Sequence, residues 1–449
     1  MKSIGGKASL VDAANAACSW LGLALLLIAP SGASAQKLDT TQFVVVGEGL
    51  AAGMTDFALR DVYQKASFPA QMAAQMNTAF PQPLIQTPGI SGGAPGFATL
   101  PAGVPVTLQG SVRDDFPPNL FVFNLSMPGT KLTDALNVRP ASPLIQPTNP
   151  KQTLANLVLG YPTLIIGQPL PLWSQVEYAV AMNPTLVMVE LGYYDVLDAA
   201  ANNDPSRLPS TSTFAANYAT LLSSLGASAA RQVVVTTIPN PFDTAYFTSL
   251  NTAPKFLAGA PPATLALFLA MNTGDYFTPN GLLQAASALL TGNVNPFFNP
   301  FSALPGTVIR ATTQTAVESS VTALNAAIIA AAKAAGSNVT VFDLNALFHQ
   351  VKLNGLTVGT TTLTADYLGG FYSLDGYYPG PTAHALIANQ MLTQLNTTYK
   401  KSFPLVDLTK VIATDPVIRS RPSSVRRPSN PGRGLTPRRG IDEIRELWK

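Results

Sequence analysis

The chain has one cysteine, two histidines and a charged fraction of only 11% across 449 residues. Each scarcity excludes something. The single cysteine, Cys18, lies within an N-terminal apolar segment, so a mature chain cut behind that segment has no thiol, no disulfide framework and no cysteine-ligated metal. A lipoprotein signal would put its cysteine behind the apolar stretch, whereas Cys18 precedes most of it. With two histidines to draw on, a transition-metal site has few ligands, and no cofactor is expected. Long apolar runs are also missing. Beyond the N-terminus no stretch approaches the ~18 uncharged apolar residues of a spanning helix. The longest candidate, Ala323–Ala335, is alanine-rich, carries Lys333 and reads as a packed helix.

A general excess of basic charge is absent too, although the formal net charge is +3. From Arg419 onward the chain carries eight arginines and Lys449 against Asp442, Glu443 and Glu446. Without them 18 basic and 21 acidic residues remain, and the body is weakly acidic. The stretch 419–449, rich in Arg, Pro, Ser and Gly, has the composition of a disordered segment. It lacks interleaved aromatics until Trp448, which argues against nucleic acid and suits an anionic envelope surface.

What is present begins with the layout of a secretory signal over residues 1–35. Lys2 and Lys7 precede the apolar run Leu21–Ala29, and Pro30 leads to the small-residue end Ala33-Ser34-Ala35. Cleavage after Ala35 and a secreted or periplasmic location are expected. With 47% hydrophobic residues, the rest can bury a large core. Five segments rich in β-branched residues, Phe43–Gly47, Asn119–Leu125, Thr185–Leu191, Gln232–Ile238 and Val339–Asp343, are apolar without alternation, as strands buried on both faces of a parallel sheet are. Helical patterns lie between or after them, at Trp173–Met182, Phe214–Leu225, Ala316–Ala335 and Pro381–Leu395. The alternation predicts a doubly wound α/β/α domain over 36–418. Two Pro- and Gly-punctuated stretches, near 80–118 and 239–313, read as insertions.

In an open parallel sheet ligands bind beyond the carboxyl ends of the strands, so the residues directly after each run matter most. Four of these places carry a resemblance. Val44-Val45-Val46-Gly47-Glu48-Gly49-Leu50 resembles the G-D-S-L block of the GDSL/SGNH esterase-lipase family, with Gly49 where that family has its nucleophilic serine. Asn124-Leu125-Ser126-Met127-Pro128-Gly129 is similar to the block whose glycine N–H helps form the oxyanion hole, and Gly129 takes that place. Leu191-Gly192-Tyr193-Tyr194-Asp195 resembles the G-x-N-D block, with Tyr194 in place of the asparagine donor. Ser373-Leu374-Asp375-Gly376-Tyr377-Tyr378-Pro379 resembles the D-x-x-H-P block, in which Asp375 matches the triad acid and Tyr378 replaces the histidine base. The resemblance implies a three-layer α/β/α fold with a five-stranded parallel sheet, flavodoxin-like in topology, and action on carboxylic esters of lipids or acylated glycans.

The substitutions weigh against that chemistry. Gly49 cannot form an acyl-enzyme, and a phenol with a pKa near ~10 is a poor general base at neutral pH. Tyr194 could still donate a hydrogen bond to an oxyanion. Ser126 and Ser373 lie close to the matched blocks but have no evident base. Glu48 and Asp375 could form a carboxylate pair, against which stands the reading of Glu48 as a helix-capping or strand-end acid. His384 falls two helical turns past Tyr378 and reads as a surface or capping residue, and His349 as an ordinary loop or core residue. If the blocks converge, Tyr193, Tyr194, Tyr377 and Tyr378 would surround one pocket suited to a sugar or acyl chain. The expectation is therefore an impaired ester hydrolase, or a non-catalytic glycan- or lipid-ester-binding protein on the same scaffold, with an envelope-associated structural protein as a third class.

Overall fold

A computed structural model describes residues 38–87, 89–90, 113, 121–167, 169–226, 231–291 and 306–419. The expected leader, residues 91–112 and 114–120 of the first insertion, residues 292–305 of the second and the tail beyond Arg419 lie outside the described residues.

Four strands form one parallel sheet in the order β1 (Phe43–Gly47), β2 (Leu186–Glu190), β3 (Gln232–Thr236) and β4 (Val339–Phe342). The first three strands are buried at every position, which explains why their sequences run apolar without alternation. Phe43 pairs with Leu186, Leu186 with Gln232 and Val233 with Val339, so the strand ends that carry the matched blocks lie along one edge of the sheet.

The expected fifth strand differs. Of the segment 119–125, the described part pairs with β1 through a single parallel bridge, Val45 with Asn124, supported by Val45 N–H to the Phe123 carbonyl and Leu125 N–H to that of Val45, at 2.8 and 2.9 Å. The polar residue near its end is drawn into side-chain work. Asn124 donates to the Ala51 carbonyl at 3.1 Å and accepts from the Ser126 N–H at 3.2 Å. Phe121, at the outer end, is 45% exposed. The fold is thus mixed α/β around a four-stranded parallel sheet rather than the five strands expected.

The principal helices are α1 (Gly49–Ala52), α2 (Phe68–Gln75), α3 (Leu132–Asn137), α4 (Gln175–Ala181), α5 (Tyr193–Ala201), α6 (Thr211–Leu225), α7 (Pro262–Phe268), α8 (Pro279–Thr291), α9 (Ala311–Ala335), α10 (Leu344–Asn354) and α11 (Pro381–Tyr399). Ser174 and Glu177 form a reciprocal capping box at the start of α4. Among the described residues α9 alone is long and apolar enough to cross a membrane. It packs instead on α5 and α6, burying Val317, Val321, Leu324 and Ile328.

The part of 239–313 that is described holds three short antiparallel strands, Thr248–Ser249, Tyr276–Phe277 and Val308–Ile309. With α7 and α8 they enclose a second, smaller core of Leu250, Leu257, Leu265, Phe277, Leu282 and Val308.

Candidate functional site

The matched blocks meet beyond the ends of β1 and β2, and what they build is packed rather than open. Glu48 ends the β1 block and caps α1, its Oε1 accepting the Leu50 N–H at 2.8 Å. Its Oε2 accepts the Tyr378 hydroxyl at 2.6 Å, and both residues are 0% exposed. The capping reading of Glu48 is therefore the one the structure adopts, and its side-chain partner is Tyr378 rather than Asp375. Burial pushes the Glu48 carboxyl up to about 7, against the lowering effect of these donors.

Gly49 shows why no side chain sits at that place. A Cβ built there would fall on the Tyr378 phenol oxygen and 2.5 Å from its ring carbon Cζ. The space of a serine side chain is occupied by the ring that replaces the histidine. Tyr378 stacks edge-on against Tyr193 and Tyr377, with centroids 6.2 and 4.9 Å away. Its own hydroxyl is held well above the usual phenol range by burial and by the Glu48 charge beside it, so it is not a base at neutral pH.

Asp375 is fully buried and works on the backbone. One carboxylate oxygen accepts the N–H groups of Tyr377 and Tyr378 at 3.0 and 2.8 Å, and the other that of Phe57 at 3.4 Å. It thereby fixes the turn that places Tyr378 over Gly49. Burial pushes it up to about 7, opposed by these hydrogen bonds and that of Ser373. Ser373 also accepts the Asp56 N–H at 3.1 Å and is 2% exposed, which makes it a clasp between two loops.

Tyr193 and Tyr377 require a correction. Both are 0% exposed, and the Tyr193 hydroxyl donates to the Tyr377 carbonyl at 3.0 Å, so neither offers a face to a ligand. Tyr194 is 8% exposed, with the Lys151 ammonium 6.0 Å from its ring centre. Burial raises its phenol too. The residue sits on the first turn of α5, which the chain enters through Gly192 at φ 109°; a Cβ there would also strike Ile238 Cδ1 at 2.6 Å. Gly129 is buried in a turn at φ 80°.

Three polar residues that the sequence did not single out complete the centre. Glu190, the one charge in an otherwise apolar β2, accepts the N–H groups of Glu48 and Ala51 at 3.2 and 3.1 Å. Burial and the neighbouring Glu48 raise its carboxyl well above the ordinary range. Asp195 accepts the Leu132 N–H at 2.9 Å, tying α3 to α5, and burial pushes it up to about 7. Gln175, from α4, donates to the carbonyls of Gly47 and Leu125 at 2.8 and 2.6 Å. Ser126, the other candidate nucleophile, is 2% exposed and its Oγ has no hydrogen-bond partner.

Neither histidine enters this centre. His384 is 1% exposed, not a surface residue. It accepts the Phe68 N–H at the start of α2 at 3.3 Å, and burial holds it down to about 3, so it stays neutral. His349 pairs with Asp243 at 3.0 Å on a half-exposed face of α10. The described residues do include an open groove of about 490 Å³, but it lies elsewhere, between Trp173, Val176, Val180 and Ser224. No group of three or more potential metal-binding His, Asp or Glu side chains occurs among the described residues. Compared with known proteins, the chain matches no family model and no curated protein.

Proposed function

We propose that this is a secreted, non-hydrolytic member of the GDSL/SGNH esterase-lipase family. In this reading the catalytic cleft has become part of the core, and whatever the protein binds is met by its surface. The observation that carries the reading is the ring of Tyr378 in the volume where a nucleophilic side chain at position 49 would stand. Family membership rests on four blocks in the family's order: two follow β1 and β2, one follows Phe123–Leu125, which runs alongside β1, and the fourth reaches them through Tyr378. Loss of function rests on chemistry. Position 49 offers no nucleophile, and the candidate base is a buried phenol already donating its proton to Glu48.

The test is turnover of short- and medium-chain p-nitrophenyl esters. The wild type is expected to match the buffer rate, and Gly49→Ser with Tyr378→His is expected to gain turnover that a serine-directed inhibitor abolishes. Wild-type turnover that survives removal of Ser126 and Ser373 would sink the non-hydrolytic reading outright. An inert double variant that remains folded would count against the family scaffold.

A further inference from the structure

The second core belongs to a lobe whose surface is almost free of charge. Between Thr244 and Ile309 the sequence has two charged residues, Lys255 and Asp275. Asp275 is 1% exposed and is consumed by Arg310 at 2.9 Å and by the Asn272 and Ala311 N–H groups. Lys255 is neutralised by Asp366 at 2.7 Å. On this uncharged background α7 exposes Leu267 (69%) and Phe268 (44%), and α8 exposes Leu290 (50%). These side chains leave the helices that enclose the small core, yet they are not part of it. Large apolar side chains turned outward on two helices that pack on one small core mark a surface that meets something apolar.

We infer that this lobe docks on the hydrocarbon boundary of a lipid bilayer through Leu267, Phe268 and Leu290, with no electrostatic attraction to the headgroups. The charge pattern selects this occupant, because a lobe with no free charge gains nothing from an anionic surface, while three apolar side chains entering the acyl boundary each leave water. A second copy of the chain fits less well. A stable dimer interface takes about 20–30 residues a side, whereas α7 and α8 expose only these three large apolar side chains. The inference is independent of the sealed centre and survives or fails without it.

Flotation of the full-length protein with phosphatidylcholine vesicles, at low and high salt, tests it. Wild type should float equally at both, and Leu267→Asp/Phe268→Asp/Leu290→Asp should lower the partition coefficient at least about 100-fold with the thermal midpoint unchanged. Phe268→Ser, which perturbs the lobe least, should give a loss of about tenfold. Four results would overturn the inference: wild type left in the soluble fraction; flotation only with anionic vesicles at low salt; equal flotation of wild type and both variants, which assigns binding to another segment; or no flotation together with a wild-type dimer that the triple variant dissolves.

Discussion

Gly49→Ala should destabilise the protein by about 3 kcal/mol, the upper end of what one added methyl costs in a packed core. The cost should vanish once Tyr378 is cut back to alanine. Position 49 begins α1 with no positive φ, so alanine is compatible with the backbone and is a better helix former than glycine. The three atoms nearest its Cβ all belong to Tyr378. Tyr378→Ala alone should cost about 3–5 kcal/mol, through the cavity it leaves and the hydrogen bond it removes from Glu48. In the double variant the new methyl fills part of that cavity. Urea unfolding of the four proteins in a double-mutant cycle should give a coupling of about 2–4 kcal/mol. Additive costs would mean that Tyr378 does not occupy the serine volume.

Stability should also fall as pH rises from about 4 to about 8. Glu48, Asp195 and Asp375 have folded-state values of about 7 against ordinary values of 4.5, 3.8 and 3.8, and Glu190 is shifted upward too. A carboxyl raised in the folded state binds its proton more tightly there than in the unfolded chain. Its contribution is therefore complete below the unfolded value and is lost as pH climbs through the folded one. Near 1.4 kcal/mol per unit, each of the three loses about 3 kcal/mol across that window. His384 runs the other way. Held down to about 3, it adds stability above its ordinary 6.5 that is lost on acidification toward 3. One histidine opposes four carboxyls, so the balance favours the acidic side. Urea midpoints should be highest near pH 4 and drop steadily to pH 8, and Glu48→Gln should flatten the slope. A maximum at pH 8 would show that these carboxyls ionise in the folded protein at little cost.

Much of the scaffold was legible because burial on both sheet faces leaves a direct trace in sequence. Phe43–Gly47 is predicted with its observed bounds, and β2, β3 and β4 fall inside the predicted runs. Of the fifth run only a single bridge to β1 is seen, because Asn124, one residue from its end, turns its side chain to the Ala51 carbonyl and the Ser126 N–H. The places of Gly49, Tyr194, Asp375 and Tyr378 were legible from the blocks, and the capping role of Glu48 from its position at a strand-to-helix junction. What composition could not tell is whether four tyrosines line a space or fill one. That depends on the contact of Tyr378 with Glu48 and Gly49, some 330 positions away. His384 was misjudged as a possible surface residue for a related reason. Helix α11 is buried almost all round over Pro381–Asn389, so its rotation away from Tyr378 turns the imidazole into another part of the core. Glu190 had a signal that went unused, a lone acid closing the apolar strand Leu-Val-Met-Val-Glu.

The central claim, that the centre around Gly49 and Tyr378 is filled, is tested most directly by covalent labelling with a fluorophosphonate, which reports an activated serine without any assumption about the ester. Full-length protein treated with excess probe and read by intact-mass spectrometry should remain unmodified, while Gly49→Ser with Tyr378→His should gain one adduct that maps to position 49. A stoichiometric adduct on the wild type at Ser126 or Ser373 would contradict that claim, because it would place a working nucleophile in the filled centre.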